Sequence, residues 1–169
     1  MGKDSAVRSM ASLIVLLVFL CSGLARGEEL EKAPGFSLKN IEKLQENEVQ
    51  LSGLEGKVVL LNVFTTTCHV CRAEFPNLIA INDRYSDRDD VQVVGIAIDP
   101  MVEPVQSLVD IVGINYTVLM GELQTLVNWK VKGFPTSYLI NRQGEIHTKY
   151  VGLKDKSVFV RDIEAILAD

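Results

Sequence analysis

Two cysteines with two residues between them, Cys68-His69-Val70-Cys71, follow the apolar run Val58-Val59-Leu60-Leu61-Asn62-Val63-Phe64 and open a segment that reads as helix. A helix N-terminus supplies unpaired amide N–H groups and a partial positive charge, and both stabilise a thiolate. Cys68 is therefore the expected nucleophile. Cys71 lies three residues on, on the same helical face, where it can resolve a mixed disulfide or close a ring with Cys68. Zinc sites use the same spacing but complete a tetrahedron with a second ligand pair. The remaining candidates are scattered: Cys21 lies in the N-terminal apolar segment, His69 inside the motif and His147 far downstream. A redox pair is the expectation, with no metal and no cofactor; two cysteines that merely fill core are oddly placed around a histidine at a strand-to-helix junction.

The elements around the motif follow from periodicity. Short strands are expected at Ala33–Leu38 and Glu48–Leu51, around a polar excursion from Lys39 to Asn47. A buried strand follows at 58–64, then a helix from about Cys68 to Tyr85, carrying Pro76 inside it. Val91–Ile98 is a second nearly continuous apolar strand, a pattern that predicts a parallel sheet with helices over both faces. Val105, Leu108, Val109 and Val112 form a helical stripe over Val102–Val112 that faces a core. Beyond it come a strand at Tyr116–Met120, a helix at Glu122–Trp129, a hairpin of Thr136–Ile140 and Ile146–Val151, and a closing helix at Ser157–Leu167. The order predicts an α/β sandwich around a mixed sheet.

The first 27 residues read as an address. Lys3 and Arg8 precede the apolar run Leu13–Leu20, too short for a comfortable membrane span, and Ala25-Arg26-Gly27 fits a small-x-small cleavage site. Export with cleavage after Gly27 is expected; an uncleaved anchor, or lipidation at Cys21, are the alternatives. That leaves residues 28–169 as one domain. Removing Lys3, Arg8, Arg26 and Asp4 leaves 14 basic against 21 acidic side chains, a net charge that argues against nucleic acid as a partner. Export also places the cysteine pair where a disulfide persists. A bridge closing so short a loop adds little to fold stability, so chemistry is the better reason for it.

The segment from Lys57 through Cys68-x-x-Cys71-Arg72-x-Glu74-x-Pro76, taken with Val131-x-Gly133-x-Pro135-Thr136-x-x-Leu139-Ile140-x-x-x-Gly144-x-Ile146, resembles the thioredoxin superfamily, and within it the exported TlpA/ResA-type thiol–disulfide oxidoreductases. The resemblance runs from about Ala33 to the C-terminus. It implies a thioredoxin-like fold, a central mixed β-sheet flanked by helices with an N-terminal β extension. It assigns attack to Cys68, resolution to Cys71 and a cis peptide to Pro135, beside the disulfide, with the Phe134 backbone free to pair with an extended client peptide. Glu74 matches an acid thought to influence proton transfer; read from the residues, it sits one turn past Cys71 on the same face and can accept a thiol proton, or it is an ordinary exposed carboxylate. The implied activity is reduction of disulfides in exported proteins, including apocytochrome c, on the periplasmic or another extracytoplasmic face, with recharging by a membrane electron donor.

Several positions depart from that pattern. Thr65-Thr66-Thr67 stands where the family usually has tryptophan before the first cysteine, and His69-Val70 replaces the usual dipeptide between the cysteines. His69 beside the nucleophile favours the thiolate, which stabilises the reduced form and raises the potential. Asn62 occupies the place of thioredoxin's buried aspartate, which shifts weight onto Glu74. Two alternatives stay open: a peroxiredoxin-like peroxidase, suggested by Thr65-x-x-Cys68, and a Sco-like copper-binding module, which would need a late histidine such as His147.

Overall fold

The computed structural model describes residues 30–43 and 48–168. The expected signal segment, its cleavage site and Cys21 lie outside them, as does part of the polar excursion, residues 44–47. The strands are β1 (Ser37–Asn40), β2 (Val49–Gln50), β3 (Val58–Phe64), β4 (Val91–Ala97), β5 (Thr117–Met120), β6 (Thr136–Ile140) and β7 (Ile146–Val151). The α-helices are α1 (His69–Arg84), α2 (Val102–Val112), α3 (Leu123–Asn128) and α4 (Lys156–Ala168). One sheet runs in the order β2-β1-β5-β4-β3-β6-β7. Its centre, β3-β4-β5, is parallel; β6, β7, β1 and β2 add antiparallel edges. Among the described residues no helix is long and apolar enough to cross a membrane.

Every residue of β3 is buried, as its unbroken apolar run requires of a central strand covered on both faces. Helices lie on both faces, as expected, but unequally. The steps β3-α1-β4 and β4-α2-β5 advance across the sheet in the same direction, and right-handed crossovers then put α1 and α2 over the same face. Accordingly Phe75 and Leu78 of α1, Val105 and Leu108 of α2, and Phe159 and Ile163 of α4 share one core with Val58, Leu60 and Phe64. The opposite face holds Val59, Leu61 and Val63. It is closed by the chain return through α3, by Trp129, and by the N-terminal residues Ala33, Phe36, Leu38 and Val49. Trp129 packs between Phe36 and Tyr138 at centroid distances of 6.3 and 5.0 Å.

The N-terminal strands need correction. Ala33–Phe36 forms no strand, although Lys32 bridges to Glu145 and the Ala33 N–H donates to the Gly144 carbonyl. Pro34 has no N–H to offer a ladder. Lys39 and Asn40, expected in the polar excursion, are instead the strand residues that pair with Met120 and Leu119, and β2 is limited to two residues. The rest of the sequence-derived elements fall within a residue or two of the observed ones.

Candidate active site

Three neighbouring strands end at the rim where the cysteines lie. β3 leads into Thr65–Thr67, and Cys68 is the N-cap of α1, with extended backbone (φ −82°, ψ 107°). The Cys71 N–H donates to Cys68 Sγ at 3.1 Å. This is the helix-terminus donor the spacing predicted, aimed at the sulfur that must carry charge. The two sulfurs are bonded, with Cα atoms 5.3 Å apart. Cys71 is buried beneath the helix while Cys68 is partly exposed. His69 and Val70, between them, are exposed.

The second motif reaches the same rim through the sheet. Val63 pairs with Thr136 in the antiparallel β3-β6 register, which brings Pro135 level with the end of β3. The Phe134–Pro135 peptide is cis. Pro135 is buried, its carbonyl accepts from the Gly152 N–H at 2.8 Å, and the partly buried Phe134 packs against both cores.

Glu74 is buried at 1% exposure, which rules out the ordinary surface carboxylate. Its position explains this: Cys71, Glu74, Phe75, Leu78 and Ile81 form the stripe that α1 turns to the sheet. One carboxylate oxygen accepts from Asn62 Nδ2 at 2.9 Å, the other from the Lys154 backbone N–H at 2.8 Å. Asn62 Nδ2 also donates to Ser137 Oγ at 2.9 Å. Loss of water around the carboxylate raises the Glu74 pKa above its ordinary value. The Lys154 N–H, the Lys154 charge and Asn62 pull it the other way but offset only part of the rise. An acid held in this way changes protonation nearer neutrality than a surface glutamate, which suits it to trading protons with a thiol one turn away. Asn62, in the place of thioredoxin's buried aspartate, thus supports the buried acid on the neighbouring helix.

Asp99, Asn77 and Lys154 were not singled out in the sequence, and Arg72 stood there only as a motif residue without a role. Asp99 and Arg72 hold the turn before Cys68. Asn77 donates to the Lys154 carbonyl at 2.9 Å, so α1 grips both polar groups of that residue's backbone, one through Asn77 and one through Glu74. His147 is exposed on β7. Among the described residues no group of three or more His, Cys, Asp or Glu is arranged to hold a metal ion.

Residues 30–149 match the AhpC/TSA family. Among curated proteins, the chain is 35% identical over 120 residues to the thiol-disulfide oxidoreductase ResA of Oceanobacillus iheyensis, covering 69% of this chain and 61%, less than two thirds, of that relative. It is 28% identical over 156 residues to ResA of Bacillus subtilis, covering 85% of each. Among solved structures, a protein of Chlorobium tepidum described as a DsbE-type thiol:disulfide interchange protein superposes with a TM-score of 0.75 at 31% identity, covering 83% of this chain and 98% of that one. The matched stretch takes in both the cysteine pair and the cis-proline, and relatives that keep the architecture are named for the chemistry such a pair performs. The chain belongs to the AhpC/TSA family, among its ResA-like members with a thioredoxin-like fold.

Proposed function

We propose that this thiol–disulfide oxidoreductase runs as a reductase of disulfides in exported proteins, apocytochrome c among the candidate clients, on the extracytoplasmic face of a membrane. The observation that carries the reading is the asymmetry of the pair: Cys68 is reachable and faces a helix N–H, whereas Cys71 is buried one turn from a buried acid. In the dithiol form the Cys68 thiolate attacks one sulfur of the client disulfide; a Cys68–client bond forms, the client S–S bond breaks and one client thiolate leaves. Cys71 then gives its proton to Glu74 and attacks Cys68 Sγ, expelling the second client thiolate. The client gains two electrons, and the protein is left with the Cys68–Cys71 disulfide seen here. A membrane electron donor returns two electrons to restore the dithiol. Phe134 and Pro135 supply the edge along which an extended client peptide lies, and His69 raises the potential by favouring the thiolate.

The test is a trap. Cys71→Ser removes only the second attack, so the variant, expressed in its own host, accumulates covalent adducts that dissolve on adding a reductant. The adducted proteins are exported and carry cysteine pairs. Cys68→Ser traps none. If Cys71→Ser traps nothing and the reduced wild-type protein leaves a disulfide substrate intact, the reading fails; consumption of peroxide would then favour the peroxidase alternative.

A further inference from the structure

The turn that delivers Cys68 is built without the bulky residue that the family resemblance leads one to expect before the first cysteine. Thr65 and Cys68 close a turn through the Cys68 N–H and the Thr65 carbonyl at 3.2 Å. Inside it, every polar group of Thr66 is engaged. Its N–H donates to Asp99 Oδ2 at 3.0 Å and its hydroxyl to Asp99 Oδ1 at 2.6 Å, while its carbonyl accepts from Arg72 Nη2 at 3.1 Å. Thr66 is 8% exposed. Asp99 is available because β4 runs parallel to β3 and one step beyond it, with the Ile98 N–H donating to the Phe64 carbonyl at 2.9 Å. A two-point grip by a single carboxylate fixes orientation as well as distance. Arg72, on the first turn of α1, ties the same residue to the helix that Cys68 caps.

We infer that Asp99 is a positioning residue for thiol–disulfide exchange: its grip on Thr66 holds Cys68 Sγ over the Cys71 N–H when the disulfide is open. In the oxidised protein the S–S bond itself keeps the two cysteines in register. Once that bond is broken, the backbone ahead of Cys68 must supply the constraint, or the thiolate loses the donor that stabilises it. The inference rests on the reading of Cys68 as the attacking thiol.

The experiment follows alkylation of each cysteine in the reduced full-length protein against pH, together with the reduction potential, for wild type, Asp99→Asn, Thr66→Val and the double variant. Asp99→Asn keeps one acceptor of two and Thr66→Val removes the hydroxyl donor. Each slows Cys68 alkylation at neutral pH by about five- to tenfold, moves the midpoint of its pH profile upward and lowers the potential. Because one clamp is lost either way, the double variant is no slower than the slower single one. An Asp99 that acted only through its charge would give the opposite sign, since removing a carboxylate near a thiolate speeds alkylation. Unchanged or faster alkylation in Asp99→Asn, or additive effects in the double variant, overturns the inference. Should Asp99→Asn fail to fold, Thr66→Val decides alone, and a wild-type rate in it is the overturning result. Faster labelling of Cys71 in the wild type would instead remove the assignment of Cys68 beneath it.

Discussion

At the scale of the residue, the chemistry is set by what surrounds each of two sulfurs. Cys68 has a backbone donor and partial exposure; Cys71 is buried. In the reduced protein at neutral pH, Cys68 is therefore expected to alkylate at least about tenfold faster than Cys71, and peptide mapping after brief labelling reads the ratio directly. Equal rates would reverse the roles. His69 occupies the first position of α1, exposed beside that sulfur. Its replacement by alanine should lower the reduction potential by tens of millivolts, since about 30 mV corresponds to about 1.4 kcal/mol for a two-electron couple; a fixed or higher potential would take His69 out of the mechanism. The cysteine pair and its place at the helix N-terminus were legible in the sequence because helix capping is local. Glu74 was half legible. Its place on the Cys71 stripe was visible, but its burial depends on Asn62 and Ser137 from two strands and on Lys154 from a distant loop, and spacing along one helix carries no record of those.

At the scale of the element, the strands and helices that could be read were those whose pattern is set by their own residues. The β3 run, the α2 stripe and the β6-β7 hairpin around Arg142-Gln143-Gly144 fall where periodicity places them. The polar Lys39–Asn40 pair could not be read as strand, because what makes it one is the free edge of β5. Nor could periodicity say which face α2 would cover; that follows from the handedness of two successive crossovers, which is a property of connections. The same limit hid Asp99, which matters only because β4 lies beside β3. Gly121 shows how tightly this end of the sheet is assembled. It follows β5 directly, its N–H donates to the Ala97 carbonyl at 2.8 Å, and a Cβ there would sit 2.5 Å from Ile96 Cγ2 and 2.6 Å from Ile98 Cδ1. Ile96 is a fully buried β-branched residue with little freedom to turn aside. Gly121→Ala is expected to destabilise the fold by about 1–3 kcal/mol, measured by denaturant unfolding. A loss well below that would mean the strand ends are loosely packed, and with them the base on which Asp99 and the Thr66 turn are set.

At the scale of the whole molecule, two carboxyl groups shape the dependence of stability on pH in opposite directions. Asp90, just before β4, is gripped by Arg88 and reached by Arg142, whose guanidinium also donates to the Ile166 carbonyl near the end of α4. The hydrogen bonds from Arg88, with help from Arg142, hold its pKa down at about 2. A carboxyl group whose pKa is lower when folded contributes stability that is complete above its ordinary value of 3.8 and is lost as pH falls through about 2. Glu164 and Glu145, also lowered by their hydrogen bonds, add to that acid limb. Glu74 works the other way. Its pKa is raised on folding, so between its ordinary value of 4.5 and the folded value the native state holds a proton that the unfolded chain has released. Stability therefore falls as pH rises through that window and stays flat beyond it. The expected curve has a maximum in mildly acidic solution, with a decline toward neutrality that is the cost of keeping a proton acceptor buried under α1. Glu74→Gln isolates the effect, because a glutamine can still accept from the Lys154 N–H while donating to the Asn62 carbonyl after that amide turns over, and Asn62 Oδ1 has no hydrogen-bond partner as it stands. Thermal unfolding from pH 3 to 8 should then lose the decline on the neutral side and keep the acid limb, and the pH profile of disulfide exchange should shift in the same variant. A curve that still declines in Glu74→Gln would place the responsible group elsewhere, and an unshifted exchange profile would leave Glu74 a structural acid with no part in the proton transfer from Cys71.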